Sequence, residues 1–123
     1  MLQAYSINAA VTAGGAVPFN SVALEKGCTA RLTSPSTIEL NKCGVYMVSV
    51  DATAAASTTL QLTKDGTALP QAQSTGTTPS FETLVQVATN NSCCACSSPV
   101  VLRLINSTAT TLTDCNIVVT KVV

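Results

Sequence analysis

The chain has 123 residues, 46% hydrophobic and only 10% charged, with six cations against six carboxylates and neither His nor Trp. Catalysis near neutral pH calls for a positioned group that titrates or coordinates, and such groups are scarce here. Lys26, Arg31, Lys42, Lys64, Arg103 and Lys121 are scattered, so no basic patch for nucleic acid is expected, and no apolar run reaches the length of about 18 residues that a membrane helix needs.

In chain order, four short extended runs come first: Tyr5–Val11, Ser21–Leu24, Ala30–Leu32 and Thr37–Leu40. Gly14-Gly15, Pro18, Gly27 and Pro35 separate them. From Val45 to Thr53, Tyr46, Val48, Val50 and Ala52 fall on one side and Met47, Ser49, Asp51 and Thr53 on the other. One buried face produces this period of two. Thr58–Lys64 alternates as well and runs into Asp65-Gly66, a hairpin signal, because both central positions of that turn need φ > 0. The polar, Pro- and Gly-punctuated stretch Asp65–Ser80 reads as an exposed crossover loop. Phe81–Val87, Val100–Asn106 and Asn116–Val123 follow as alternating strands. About nine strands at close spacing, without a helical period, predict an all-β antiparallel sandwich or jelly roll spanning 1–123 as one domain. The segment MLQAYSINAAV lacks the basic and apolar regions of a secretory signal, so release from a cell is expected by another route, such as lysis.

The chemistry-bearing residues are few. Cys28, Cys43, Cys93, Cys94, Cys96 and Cys115 leave three readings open. They could form disulfides, since their number is even and Cys28 and Cys43 flank a plausible hairpin. They could form a thiol cluster around Cys93-Cys94-Ala95-Cys96. They could also be small buried hydrophobes. That cluster has no His beside it to complete a zinc site, and no metal or cofactor is expected. A cysteine nucleophile would lack its usual base. Nothing in sequence pairs Glu25, Glu39 and Glu82 or Asp51, Asp65 and Asp114 as a glycosidase would need, and no enzyme activity is expected. Asn90-Asn91-Ser92 and Asn106-Ser107-Thr108 match the glycosylation tripeptide, a pattern common by chance.

Several segments, in a consistent order, resemble one family. Gly14-Gly15-Ala16-Val17-Pro18-Phe19-Asn20 follows a first strand. Ile38-Glu39-Leu40 precedes Cys43-Gly44-Val45-Tyr46-Met47-Val48-Ser49-Val50. Leu60-Gln61-Leu62 leads through Asp65-Gly66-Thr67-Ala68-Leu69-Pro70 to Ser74-Thr75-Gly76-Thr77, and Leu102-Arg103-Leu104-Ile105-Asn106-Ser107 opens a β-rich end. The order is similar to that of the trimeric jelly-roll heads of the tumour-necrosis-factor/complement-q superfamily. The bacterial branch that caps collagen-like exosporium proteins, and related phage virion modules, look most similar. The resemblance implies a jelly roll, a homotrimer and no catalytic centre. It makes Tyr46, Met47, Phe81 and Leu84, the largest apolar groups of the central runs, candidates for a face that packs against sister copies; the alternative is that they are core. The function expected is a structural module on a virion surface, such as a capsid decoration or head-fibre protein docked on a shell. The alternatives are a spore-surface head or a carbohydrate-binding head with a glycan as partner.

Overall fold

The computed structural model describes residues 1–27, 29–87 and 100–123. Ten strands follow in chain order: β1 (Leu2–Val11), β2 (Ser21–Glu25), β3 (Ala30–Ser34), β4 (Thr37–Leu40), β5 (Gly44–Ala54), β6 (Thr58–Lys64), β7 (Thr67–Gly76), β8 (Ser80–Val87), β9 (Val100–Asn106) and β10 (Thr110–Lys121). They form two antiparallel five-stranded sheets, β2-β1-β10-β5-β8 and β3-β4-β9-β6-β7. The first strand pairs with the last, and β5 pairs with both β10 and β8. The jelly-roll sandwich expected from the alternation is thus the observed fold.

The alternation explains the core. Tyr46, Val48, Val50, Ala52 and Ala54 of β5 point inward, as do Ile117 and Val119 of β10. Leu60 and Leu62 of β6 and Leu102 and Leu104 of β9 meet them from the second sheet. Each large aliphatic side chain taken out of water contributes roughly 1.5–3 kcal/mol, and this layer supplies most of the driving force for folding. In β1 the period slips once. Leu2, Ala4 and Ser6 face inward, and then Ala9 and Val11 do, because Asn8 takes φ = 53° and re-aims the strand. Asn is among the side chains that best tolerate the left-handed region.

Asp65–Ser80 is not the loop expected from its composition. It holds β7, which pairs with β6 along the sheet edge. Pro70 lacks an N–H and is tolerated there because one side of an edge strand has no ladder. The register shifts between Gln61 and Thr63, and Gln61 Nε2 donates to the carbonyls of Leu62 at 3.0 Å and Ala72 at 3.1 Å. A side chain thereby occupies the irregularity that the polar, Pro-containing sequence creates.

The two-residue turn between Lys64 and Thr67 has Asp65 at φ = 50° and Gly66 at φ = 85°, as the sequence predicts. A Cβ on Gly66 would meet nothing within 4 Å. The substitution Gly66→Ala therefore isolates the conformational cost. It is expected to destabilise the fold by about 1 kcal/mol, read as a lower urea midpoint with an unchanged slope.

Candidate functional site

The outer face of the first sheet carries a distinctive set of exposed side chains. In register across it, Thr120, Met47 and Leu84 form one row, Gln3, Val118 and Ser49 the next, and Tyr5, Asn116 and Asp51 the next. Ile7, Asp114 and Thr53 form a further row towards the end of β1. Leu84 is 59% exposed and Ile7 60% exposed, large values for apolar groups on a sheet. The result is an apolar path from Leu84 through Met47 and Val118 to Tyr5 and Ile7. The carboxylates of Asp51, Glu82 and Asp114 share the face, and no Lys or Arg does.

Two of the four apolar interface candidates turn inward within one copy. Tyr46 is fully buried inside one copy. Its hydroxyl donates to the Lys42 carbonyl at 2.7 Å, with the Thr29 carbonyl at 3.2 Å, and accepts from Lys42 N at 3.3 Å. Phe81 is half-buried and packs against the core. Adjacent residues of a strand point to opposite faces, so Tyr46 and Met47 could not both serve one interface. Met47 and Leu84 lie on the outer face. Tyr5, Ile7 and Val118 are the members that sequence reading missed; the Asn8 slip conceals the first two.

The two ends of the sandwich differ. One end carries the connections 12–20, 55–57, 77–79 and 107–109, which contain no ionisable side chain. A shallow depression of about 290 Å³ there is lined by Ala10, Val11, Thr12, Ala109, Thr110 and Thr111, groups with no nucleophile or charge among them. Asn106 organises this end. Its side chain accepts from Thr58 Oγ1 and donates to the carbonyls of Thr108 at 2.6 Å and Val11 at 3.3 Å. Its backbone accepts from Gly14 N at 2.7 Å and donates to the Gly15 carbonyl at 2.9 Å. Asn106 is fully buried, so the tripeptide match at 106–108 is a structural hub and no glycan site. The match at Asn90 lies outside the described residues. The opposite end gathers Lys26, Lys42, Lys64 and Lys121.

The cysteine expectations fall largely outside the described residues, which exclude Cys28, Cys93, Cys94 and Cys96. Cys43, half-buried, and Cys115, fully buried, carry free thiols. Cys115 faces Ser6 across the β1–β10 ladder. Burial, reinforced by the nearby Asp114 and Asp51 carboxylates, pushes its pKa up to about 12. Among the described residues, no three His, Cys, Asp or Glu side chains stand where they could hold a metal ion. Asp65 Oδ1 accepts from Val101 N at 2.9 Å, which assigns this carboxylate to its turn.

No protein-family model and no curated protein matches the chain. Solved structures do. The globular domain of zebrafish complement 1qA protein superposes with a TM-score of 0.76 at 9% identity, over 99% of this chain and 96% of that one. Murine APRIL gives a TM-score of 0.68 at 9% identity, over 98% of both chains. Rabbit GITRL gives 0.61 at 12% identity, over 100% of this chain and 95% of that one. At such identities the likeness is one of fold: the chain has the jelly roll of the tumour-necrosis-factor and complement-1q globular heads.

The buried thiol makes this core sensitive to alkali. A thiol whose pKa rises on folding contributes stability that is complete below its unfolded value near 9.0 and is lost as pH climbs towards about 12. Relative to the wild type, Cys115→Ala is expected to lose less stability between about pH 9 and pH 11, measured as urea midpoints at each pH. At pH 8 a maleimide should label Cys43 in the native protein and leave Cys115 unmodified, as read by peptide mass spectrometry.

Proposed function

We propose that this chain is a non-enzymatic surface module that assembles as a homotrimer through the outer face of its first sheet, and that it is a phage virion component, a capsid decoration or head-fibre protein. One observation carries the reading: the apolar path runs out to β8, an edge strand of the described sheet whose register with β5 is unbroken. Of the four edge strands, β2, β3 and β7 each break register with their neighbour, whereas β8 pairs with β5 without a shift from Gly44↔Val87 to Asp51↔Ser80. Bulges, Pro and irregular register normally blunt an edge against unwanted pairing. A regular edge next to exposed Leu84 and Met47 therefore fits a surface that a sister copy covers. The core, built of mid-sized aliphatic groups with few aromatics, has reason to extend its burial across subunits, at roughly 25 cal/mol per Å² of apolar surface.

The virion assignment draws on the low, balanced charge and the uncharged small-residue end, which suit life packed on a large particle. The sequence resemblance to virion modules agrees with it. Such a protein would be made in the host cytoplasm and would end on the particle surface.

Size-exclusion chromatography with light scattering should give close to three times the 12.5 kDa chain mass. Met47→Asp/Leu84→Asp should shift the protein to monomer while leaving its far-ultraviolet circular dichroism unchanged. A wild-type monomer at micromolar concentration contradicts the trimer. For the particle, mass spectrometry of purified virions should find the chain in fixed ratio to the shell protein; its recovery from purified spore coats instead would favour the spore-surface alternative.

A further inference from the structure

All six cationic and all six acidic side chains lie among the described residues. Three of the acidic ones, Glu82 of β8, Asp51 of β5 and Asp114 of β10, are exposed on the outer face of the first sheet. They run as a diagonal alongside the apolar path. Glu82 stands two residues from Leu84 on the same face of β8, about 7 Å along the strand. Asp114 is the registered partner of Ile7, at about 5 Å between Cβ atoms. Asp51 lies between them, in the row of Tyr5 and Asn116. Leu84 and Ile7 are the two ends of the path and its most exposed members. A contact that covers either one therefore also takes water from a carboxylate.

The cations stand elsewhere. Lys121 is on the inward side of β10, in register with Tyr46. Arg31 and Arg103 belong to the second sheet. Lys26 and Lys42 stand in the connections that follow β2 and β4. Lys64 reaches the rim of β8, where its ammonium donates to the Gln86 carbonyl at 2.6 Å. That carbonyl is four residues, about 13 Å along the strand, from Glu82. The two terminal groups sit at the lysine end, the Met1 nitrogen on the Lys26 carbonyl at 2.8 Å and Val123 beside Gly44.

A carboxylate leaving water loses its hydration, and like charges repel more strongly as the medium between them dries. The protonated form bears neither cost. Resting on the assembly proposed above, we infer that this face is a proton-operated contact: sister copies bind tightly when Glu82, Asp51 and Asp114 are protonated and loosely when they are ionised. Assembly then takes up protons, so its affinity rises as pH falls.

Sedimentation equilibrium of the intact chain, from nanomolar to micromolar concentration and at fixed ionic strength, tests this. The concentration of half-dissociation is expected to fall about tenfold between about pH 7.5 and about pH 5. The triple variant Glu82→Gln/Asp51→Asn/Asp114→Asn should assemble in neutral solution as tightly as the wild type does in acid, and should ignore pH. Glu39→Gln, on the second sheet, should keep the wild-type response. In neutral solution, raising sodium chloride from about 0.05 M to about 0.5 M should tighten the wild type more than the triple variant, because salt screens repulsion. A wild-type trimer that ignores pH, or that loosens in acid because ion pairs join its copies, overturns the inference and leaves the trimer standing. A wild type that stays monomeric at both pH values overturns the trimer and the inference with it.

Discussion

Two sheets that bury an aliphatic layer between them leave that layer open at both ends, where the strands stop and the chain must turn. Among the described residues, inward-pointing polar side chains tie the loops together at each end. Asn106 closes the uncharged end through Thr58, Thr108, Val11 and the Gly14-Gly15 turn. Tyr46 closes the lysine end through Lys42 and Thr29. A buried amide or hydroxyl without partners costs on the order of 1–3 kcal/mol, so such groups stabilise only when their partners are already in place. Both therefore act as locks on loop conformation: the loops have to arrive at the geometry that satisfies them. The contrast within the same core is Ser6, whose buried Oγ has no hydrogen-bond partner among the described residues.

Closing the ends this way fixes which surfaces remain distinctive. The hub at Asn106 draws the connections of one end together with backbone and hydroxyl bonds, and that end needs no charge to stay ordered. The Tyr46 lock holds the backbone of Lys42 at the other end, where the lysines gather. The carboxylates, by contrast, concentrate on the outer face of the first sheet, where Asp51 and Asp114 also surround the position behind which Cys115 is buried. A balanced total of six and six thus conceals an uneven distribution, and the distribution, more than the net charge, decides what each surface can meet.

Much of the architecture was legible in the alternation. The runs that became β5, β6, β8, β9 and the second half of β10 each show a clean period of two, and Asp65-Gly66 marks its turn because few residue pairs tolerate two positive φ values. The rest failed for identifiable reasons. β7 carries Pro70 and a register shift filled by the Gln61 carboxamide, and both features erase the pattern of a strand while leaving the strand in place. In β1 the slip at Asn8 makes Tyr5 and Ile7 read as sharing a face with the inward Ala9 and Val11. The surface was less legible than the fold. Alternation separates Tyr46 from Met47, but it cannot say which of the two faces is inside. It is also blind to residues such as Val118 and Leu84 that share a face only because β10 and β8 both pair with β5. The ends of the sandwich are harder still, since Lys42 and Lys121 are far apart in sequence and line one depression only because β10 runs back beside β5.

The polar side chains are used mostly to complete the fold. Thr, Asn and Gln carry most of the polar work here, and they carry it by completing backbone bonds: Gln61 at the β7 irregularity, Thr58 and Asn106 at one end, Thr29 at the other. Groups spent in this way fix geometry and are not free to transfer protons. What remains free is a set of apolar side chains on a sheet face that ends in a strand of unbroken register. It is a surface whose free energy falls when something covers it. It is best answered by another apolar face of matching flatness. A fold that has used its polar groups to lock its own loops can therefore act through what it leaves unsatisfied on its exterior.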